Sequence, residues 1–227
     1  MQMEKGQMSV DFMIATTVLI FGISLIITQI PMLFAPLLTI STDIHAVAYR
    51  TSMILVEDAG IYCENGSITS AWEDPEKNAW NFSQYLRNRR NYLSNVRRIG
   101  LAMNAPVWSS HEDTVPNNLS MRKIQALQDW WDDSANRSML WEKLGLLVSY
   151  NGDPVNYSFN ISLKSFNNML IWNHSAGKPL LQIGHPIPTG ATVERIERIV
   201  AIDDCRNLGM RIGDNECCGI LEVCIWK

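Results

Sequence analysis

The chain has 227 residues with a formal net charge of −4, enough for one ordinary domain plus an appendage. The slight acidic balance argues against a dedicated nucleic-acid binder, which carries a strong basic excess. Apolar residues make up 47% of the chain, but they are unevenly spread: no charged residue occurs from Phe12 to Thr42, whereas the remainder carries ordinary globular charge.

The N-terminus reads MQMEKGQMSVDF and runs into the apolar stretch MIATTVLIFGISLIITQIPMLFAPLL. That stretch is longer than the roughly 20 residues a membrane helix needs, and longer than the apolar core of a secretory signal. Lys5 is the only basic residue ahead of it, which places the N-terminus in the cytoplasm and the body outside. The segment Lys5-Gly6-Gln7-Met8-Ser9-Val10-Asp11-Phe12 resembles the class III signal sequence of archaeal type IV pilins, with Asp where Glu is usual. The resemblance implies cleavage between Gly6 and Gln7 by a prepilin peptidase, so that the apolar helix stays on the mature chain. It also implies that Asp11 pairs with the new N-terminal amine and sets subunit register; the alternative is an interfacial carboxylate that stays wet. Apolar residues at helical spacing carry the helix on toward Ala59, with Gly60 as its stop and Pro31 and Pro36 as bends.

The expected organisation is therefore a leader over 1–6, a transmembrane and stalk helix over 7–60, and an extracellular globular domain over 61–227. A helix is predicted from Trp80 to Leu101, carrying Arg87, Arg89, Arg90, Arg97 and Arg98 on its solvated face. Another starts near Ser120, and a short third spans Met139 to Leu147. Beyond the turn Asn151-Gly152-Asp153-Pro154, Tyr157 to Leu163 alternates polar and apolar as a half-buried strand does. Further strands are predicted at Met169–Trp172, Leu180–Ile183, Val193–Ile202 and Ile220–Trp226. Helices first and strands after give an α+β class with a mainly antiparallel sheet. PNNLSMRKIQAL, LWEKLGLL, NYSFNISL, RIVAID and ILEVCIW resemble an uncharacterised group of archaeal pilin-like membrane proteins, a likeness that implies envelope association and supplies no chemistry.

Seven Asn-x-Ser sequons, at Asn65, Asn81, Asn118, Asn136, Asn156, Asn160 and Asn173, all follow the apolar segment. Chance would give about two, so a glycoprotein is expected, the alternative being an Asn- and Ser-rich surface without sugar. Cys63, Cys205, Cys217, Cys218 and Cys224 are disulfide candidates, for example Cys63 with one of the C-terminal group; a metal site lacks the paired C-x2-C spacing. The four histidines are scattered and no phosphate loop or nucleophile elbow is present, so no catalytic, cofactor or metal residue is expected. Most of the eight tryptophans read as core. Three functions remain: a pilin-like subunit, accessory rather than major, partnered by other pilin-like subunits; a single-pass surface binding protein; and an ectoenzyme with an unfamiliar site.

Overall fold

The computed structural model describes residues 12–27, 44–104, 114–150, 153–173, 175–203 and 217–227. The chain divides into two compact units, Met1–Asp43 and Ile44–Lys227.

In the first unit, residues 12–27 form helix α1. Thr16 and Thr17 return their hydroxyls to the carbonyls of Phe12 and Met13, 2.8 Å each, which satisfies these polar groups within the helix. No helix among the described residues is long and apolar enough to cross a membrane. The expected transmembrane helix, and with it the single-pass location with a cytoplasmic N-terminus, is overturned by this finding.

The second unit begins with α2 (Ile44–Glu57), which the sequence pattern assigns to the stalk. Its Val47, Ala48, Leu55 and Val56 are buried in the body's core instead. Val47, Leu55 and Val56 each contribute roughly 1.5–3 kcal/mol when fully withdrawn from water. Helix α2 packs on a six-stranded sheet of order β11-β8-β13-β12-β5-β4. Its strands are β4 (Ala102–Asn104), β5 (Thr114–Leu119), β8 (Ser158–Lys164), β11 (Gln182–Gly184), β12 (Glu194–Ile202) and β13 (Cys218–Trp226). The sheet is mixed and not simply antiparallel, because β5 runs parallel to β12 through Ala201–Asn118 and Ile202–Leu119. Phe159, Ile161 and Leu163 of β8 and Leu221, Val223 and Ile225 of β13 alternate into the core, as the period-two pattern requires.

Three smaller pairings complete the body: β1 (Ile61–Glu64) with β2 (Ser67–Thr69) and β3 (Val96–Arg98), β6 (Leu147–Tyr150) with β7 (Asp153–Asn156), and β9 (Trp172–Asn173) with β10 (Lys178–Pro179). The single helix predicted from Trp80 is broken into α3 (Phe82–Arg87) and α4 (Arg89–Asn95), after which Val96 turns into strand. Asn81 caps α3 through a reciprocal bond with Gln84. Helix α5 (Met121–Asp132) starts after Ser120 as predicted, but the N-terminal amide of Met121 donates to the carboxylate of Asp203, and the Ser120 hydroxyl makes no capping bond. Helix α6 (Arg137–Lys143) follows.

The junction after α2 is tightly built. Trp72 is fully buried and its indole N–H donates to the carbonyls of Ala59 and Gly100, at 3.0 and 2.9 Å. Gly60 lies against that ring at φ +82°, where an added Cβ would fall 2.3 Å from the indole. Glycine is therefore required at Gly60 on both conformational and steric grounds.

Candidate functional site

Helix α1 carries no charge, and large apolar side chains are exposed all around it. Phe12, Val18, Phe21 and Ile26 are 73%, 66%, 67% and 63% exposed, and Ile14, Leu19, Ile20 and Ile27 are similar. A helix apolar on every side is built to be enclosed by other apolar surface. Isolated exposed hydrophobics are ordinary, but a contiguous patch of this kind marks an interaction surface. The cleavage pair Gly6 and Gln7 and the register carboxylate Asp11 lie outside the described residues.

The sequons fall into three groups. Asn65 at the β1–β2 turn, Asn81 and Asn156 are exposed. Asn118 and Asn160 are half-buried, and the Asn160 amide donates to the His185 carbonyl at 3.0 Å. Asn136 and Asn173 are 2% and 8% exposed. The Asn136 amide donates to Asp133 at 3.0 Å, and the Asn173 side chain accepts the backbone N–H groups of Ser175 and Ala176. Neither of these two buried side chains can carry a sugar without leaving its partners.

The pairing of Cys63 with the C-terminal cysteines is not formed. Cys63, Cys218 and Cys224 are free thiols, Cys217 is disulfide-bonded, and Cys205 lies outside the described residues. Burial, with the Glu222 carboxylate as a further cause, pushes the Cys224 thiol up from its ordinary range, so it is the inert kind of cysteine. No group of three or more His, Cys, Asp or Glu suited to a metal occurs among the described residues.

Two buried ionic clusters escape sequence reading. Lys123 on α5 is 1% exposed, and its ammonium donates to the Ala59 carbonyl at 2.7 Å, the Ala102 carbonyl at 2.9 Å and Asn104 Oδ1 at 3.2 Å. All three protons are used, so the lysine ties the Ala59 turn, β4 and α5 together. Burial lowers its proton affinity, with Glu73 nearby opposing that shift. Burial raises the Glu73 carboxyl in turn, and its Oε2 finds no partner among the described residues. Glu73 lines an open cleft of about 620 Å3 walled by Tyr85, Leu86, Arg89, Arg122 and Trp130. The cleft contains no nucleophile paired with a base.

The second cluster lies on the sheet face away from α2. Glu222 on β13 is 3% exposed, with the Lys164 ammonium at 2.6 Å and Arg195 at 3.5 Å. The Arg195 guanidinium is held still higher than usual by the Glu222 carboxylate. Lys164 and Arg195 reach Glu222 diagonally from β8 and β12, and so offset the like charge of Glu197, which stands directly opposite it on β12. On the opposite face, His45 of α2 meets Glu194 at 2.6 Å, and Arg198 lies 5.0 Å over the Tyr49 ring. The tryptophans behave largely as expected: Trp72, Trp130, Trp131 and Trp226 are buried, while Trp172 is 47% exposed.

The chain is 26% identical over 223 residues to an uncharacterised protein of Archaeoglobus fulgidus, an alignment that covers 98% of each chain. No family model matches the sequence, and no solved structure matches it.

Proposed function

We propose that this chain is a pilin-like structural subunit, an accessory one given its large body, that assembles through α1 and has no catalytic role. The observation that carries this reading is the uncharged α1 with its apolar side chains exposed on every side. Such a helix is satisfied by the same helix of neighbouring copies or of related subunits, packed side to side. The segment just ahead of α1 resembles a prepilin cleavage site, and processing there would free the N-terminus for that assembly. The Archaeoglobus fulgidus relative aligns over 98% of its own length, so the likeness is to the chain as a whole and not to the body alone.

The test is the N-terminus of the protein isolated from its native cells, read by peptide mass spectrometry that allows a cyclised or methylated residue. A chain beginning at Gln7 supports prepilin processing. One beginning at Met1, or beyond α1, removes the pilin reading.

A further inference from the structure

We infer that the free edge of β12 is a self-pairing surface, and that a second copy of this chain adds its own β12 there antiparallel, with the two-fold axis at Ile196. The inference is independent of α1 and of the proposed function. Strand β12 is bonded along its length to β13, from Glu194–Ile225 to Ala201–Cys218. On its other side it meets β5 only at Ala201 and Ile202, so among the described residues no strand pairs with the outer edge of residues 194–200. An unpaired run of that length is a template for another strand.

The hydrogen-bond parity of this edge is fixed. Ile202 donates to Cys217 on the β13 side at 2.7 Å, and Asp203 donates to Leu119 on the β5 side at 2.9 Å. Residues at even positions therefore direct their backbone groups to β13, and Arg195, Glu197 and Ile199 direct theirs to the open edge. A symmetric antiparallel partner must match odd positions with odd, so its axis falls on a residue and not between two. An axis at Arg195 would oppose two arginines, and one at Glu197 two glutamates. An axis at Ile196 opposes Arg195 to Glu197 and Glu194 to Arg198, each pair occurring twice. It also opposes Val193 to Ile199, a side chain 70% exposed in the single chain, and Ile196 to itself. The segment Val193-Glu194-Arg195-Ile196-Glu197-Arg198-Ile199 is thus complementary to its own reverse in charge and in apolar character on both faces of the sheet. Opposite charges and apolar pairs facing across strands stabilise a sheet, whereas like charges facing each other destabilise it. Arg195 and Arg198 are already steadied by Glu222 and by the Tyr49 ring, and both stay within reach of the added strand. An isologous pairing of this kind closes at two copies.

The full-length chain carrying Ile196→Cys tests the register directly. At the axis the two cysteines form a non-hydrogen-bonded pair with Cβ atoms about 4.5 Å apart, close enough for a disulfide. Mild oxidation should convert most of this variant to a reducible dimer. Ile199→Cys, whose copies would lie about 20 Å apart, should give at least tenfold less, as should the wild type. Adding Glu197→Arg or Arg195→Glu to Ile196→Cys should each lower dimer yield about tenfold. Mixing those two charge variants should restore it as a heterodimer, which also establishes that both are folded. No dimer from Ile196→Cys, equal yields at 196 and 199, or no rescue on mixing would each overturn the proposal.

Discussion

Helix α1 and helix α2 are both rich in apolar residues, yet they end in opposite environments. Helix α2 places Val47, Ala48, Leu55 and Val56 in the core and exposes His45, Tyr49 and Arg50, while α1 leaves Phe12, Val18, Phe21 and Ile26 in the open. Apolar content alone does not distinguish the two; what differs is whether polar residues occupy one side. A helix with a polar side finds its partner within its own body. A helix without one is enclosed by apolar surface, which in the proposed assembly neighbouring subunits supply.

Replacing Gly60 by Ala puts a Cβ into the Trp72 ring and holds an L-residue at φ +82°. The body should lose roughly 3 kcal/mol or more, read as a lowered denaturation midpoint. Lys123→Met should cost roughly 2–4 kcal/mol, because the Ala59 and Ala102 carbonyls lose a charged donor inside the core. An unchanged midpoint in either variant would mean that the Ala59–Gly60 junction does not hold the body together.

Burial and the bond to Glu64 push the Tyr62 hydroxyl from its ordinary 10.0 up to about 12. The folded value lies above the unfolded one, so this contribution is complete below pH 10 and is lost as pH rises from 10 towards 12. Tyr62→Phe should flatten that part of the stability curve; an equally steep loss in the variant would assign it to other groups. The smallest effect is expected at Glu73. Its carboxyl is raised by burial, so ionisation works against folding at neutral pH. Glu73→Gln should therefore be neutral to slightly stabilising at pH 7, and the difference should vanish in acid, below the ordinary value of 4.5. A clear destabilisation at pH 7 would show that attraction to Lys123 outweighs burial.

Much of the body was legible because its signals are local. The alternation in Tyr157–Leu163 marks β8, Val193–Ile202 marks β12, and the periodic run after Ser120 marks α5. The N-terminal segment misled for a related reason: the apolar run and the pattern after it join into one bent stalk on paper, whereas α2 has a polar side and packs with the body. Lys123 was not legible, since its acceptors lie up to 64 residues away and no local pattern announces them. The Cys63 pairing failed on the same ground, because β1 belongs to the small β2-β1-β3 sheet, whereas Cys218 and Cys224 belong to the large one. The charge order of Val193–Ile199 is plain in the sequence, but its meaning depends on β5 meeting β12 only at Ala201 and Ile202, which only the fold reveals.

In the proposed assembly α1 is covered by other subunits. Sedimentation of the full-length chain beside an Ile20→Asp variant tests it most directly, with the melting of the body followed in parallel. The account predicts large assemblies for the wild type and their loss in the variant, down to single chains or β12-paired dimers, while body stability changes by no more than about 0.5 kcal/mol. The same size distribution for both proteins would contradict it.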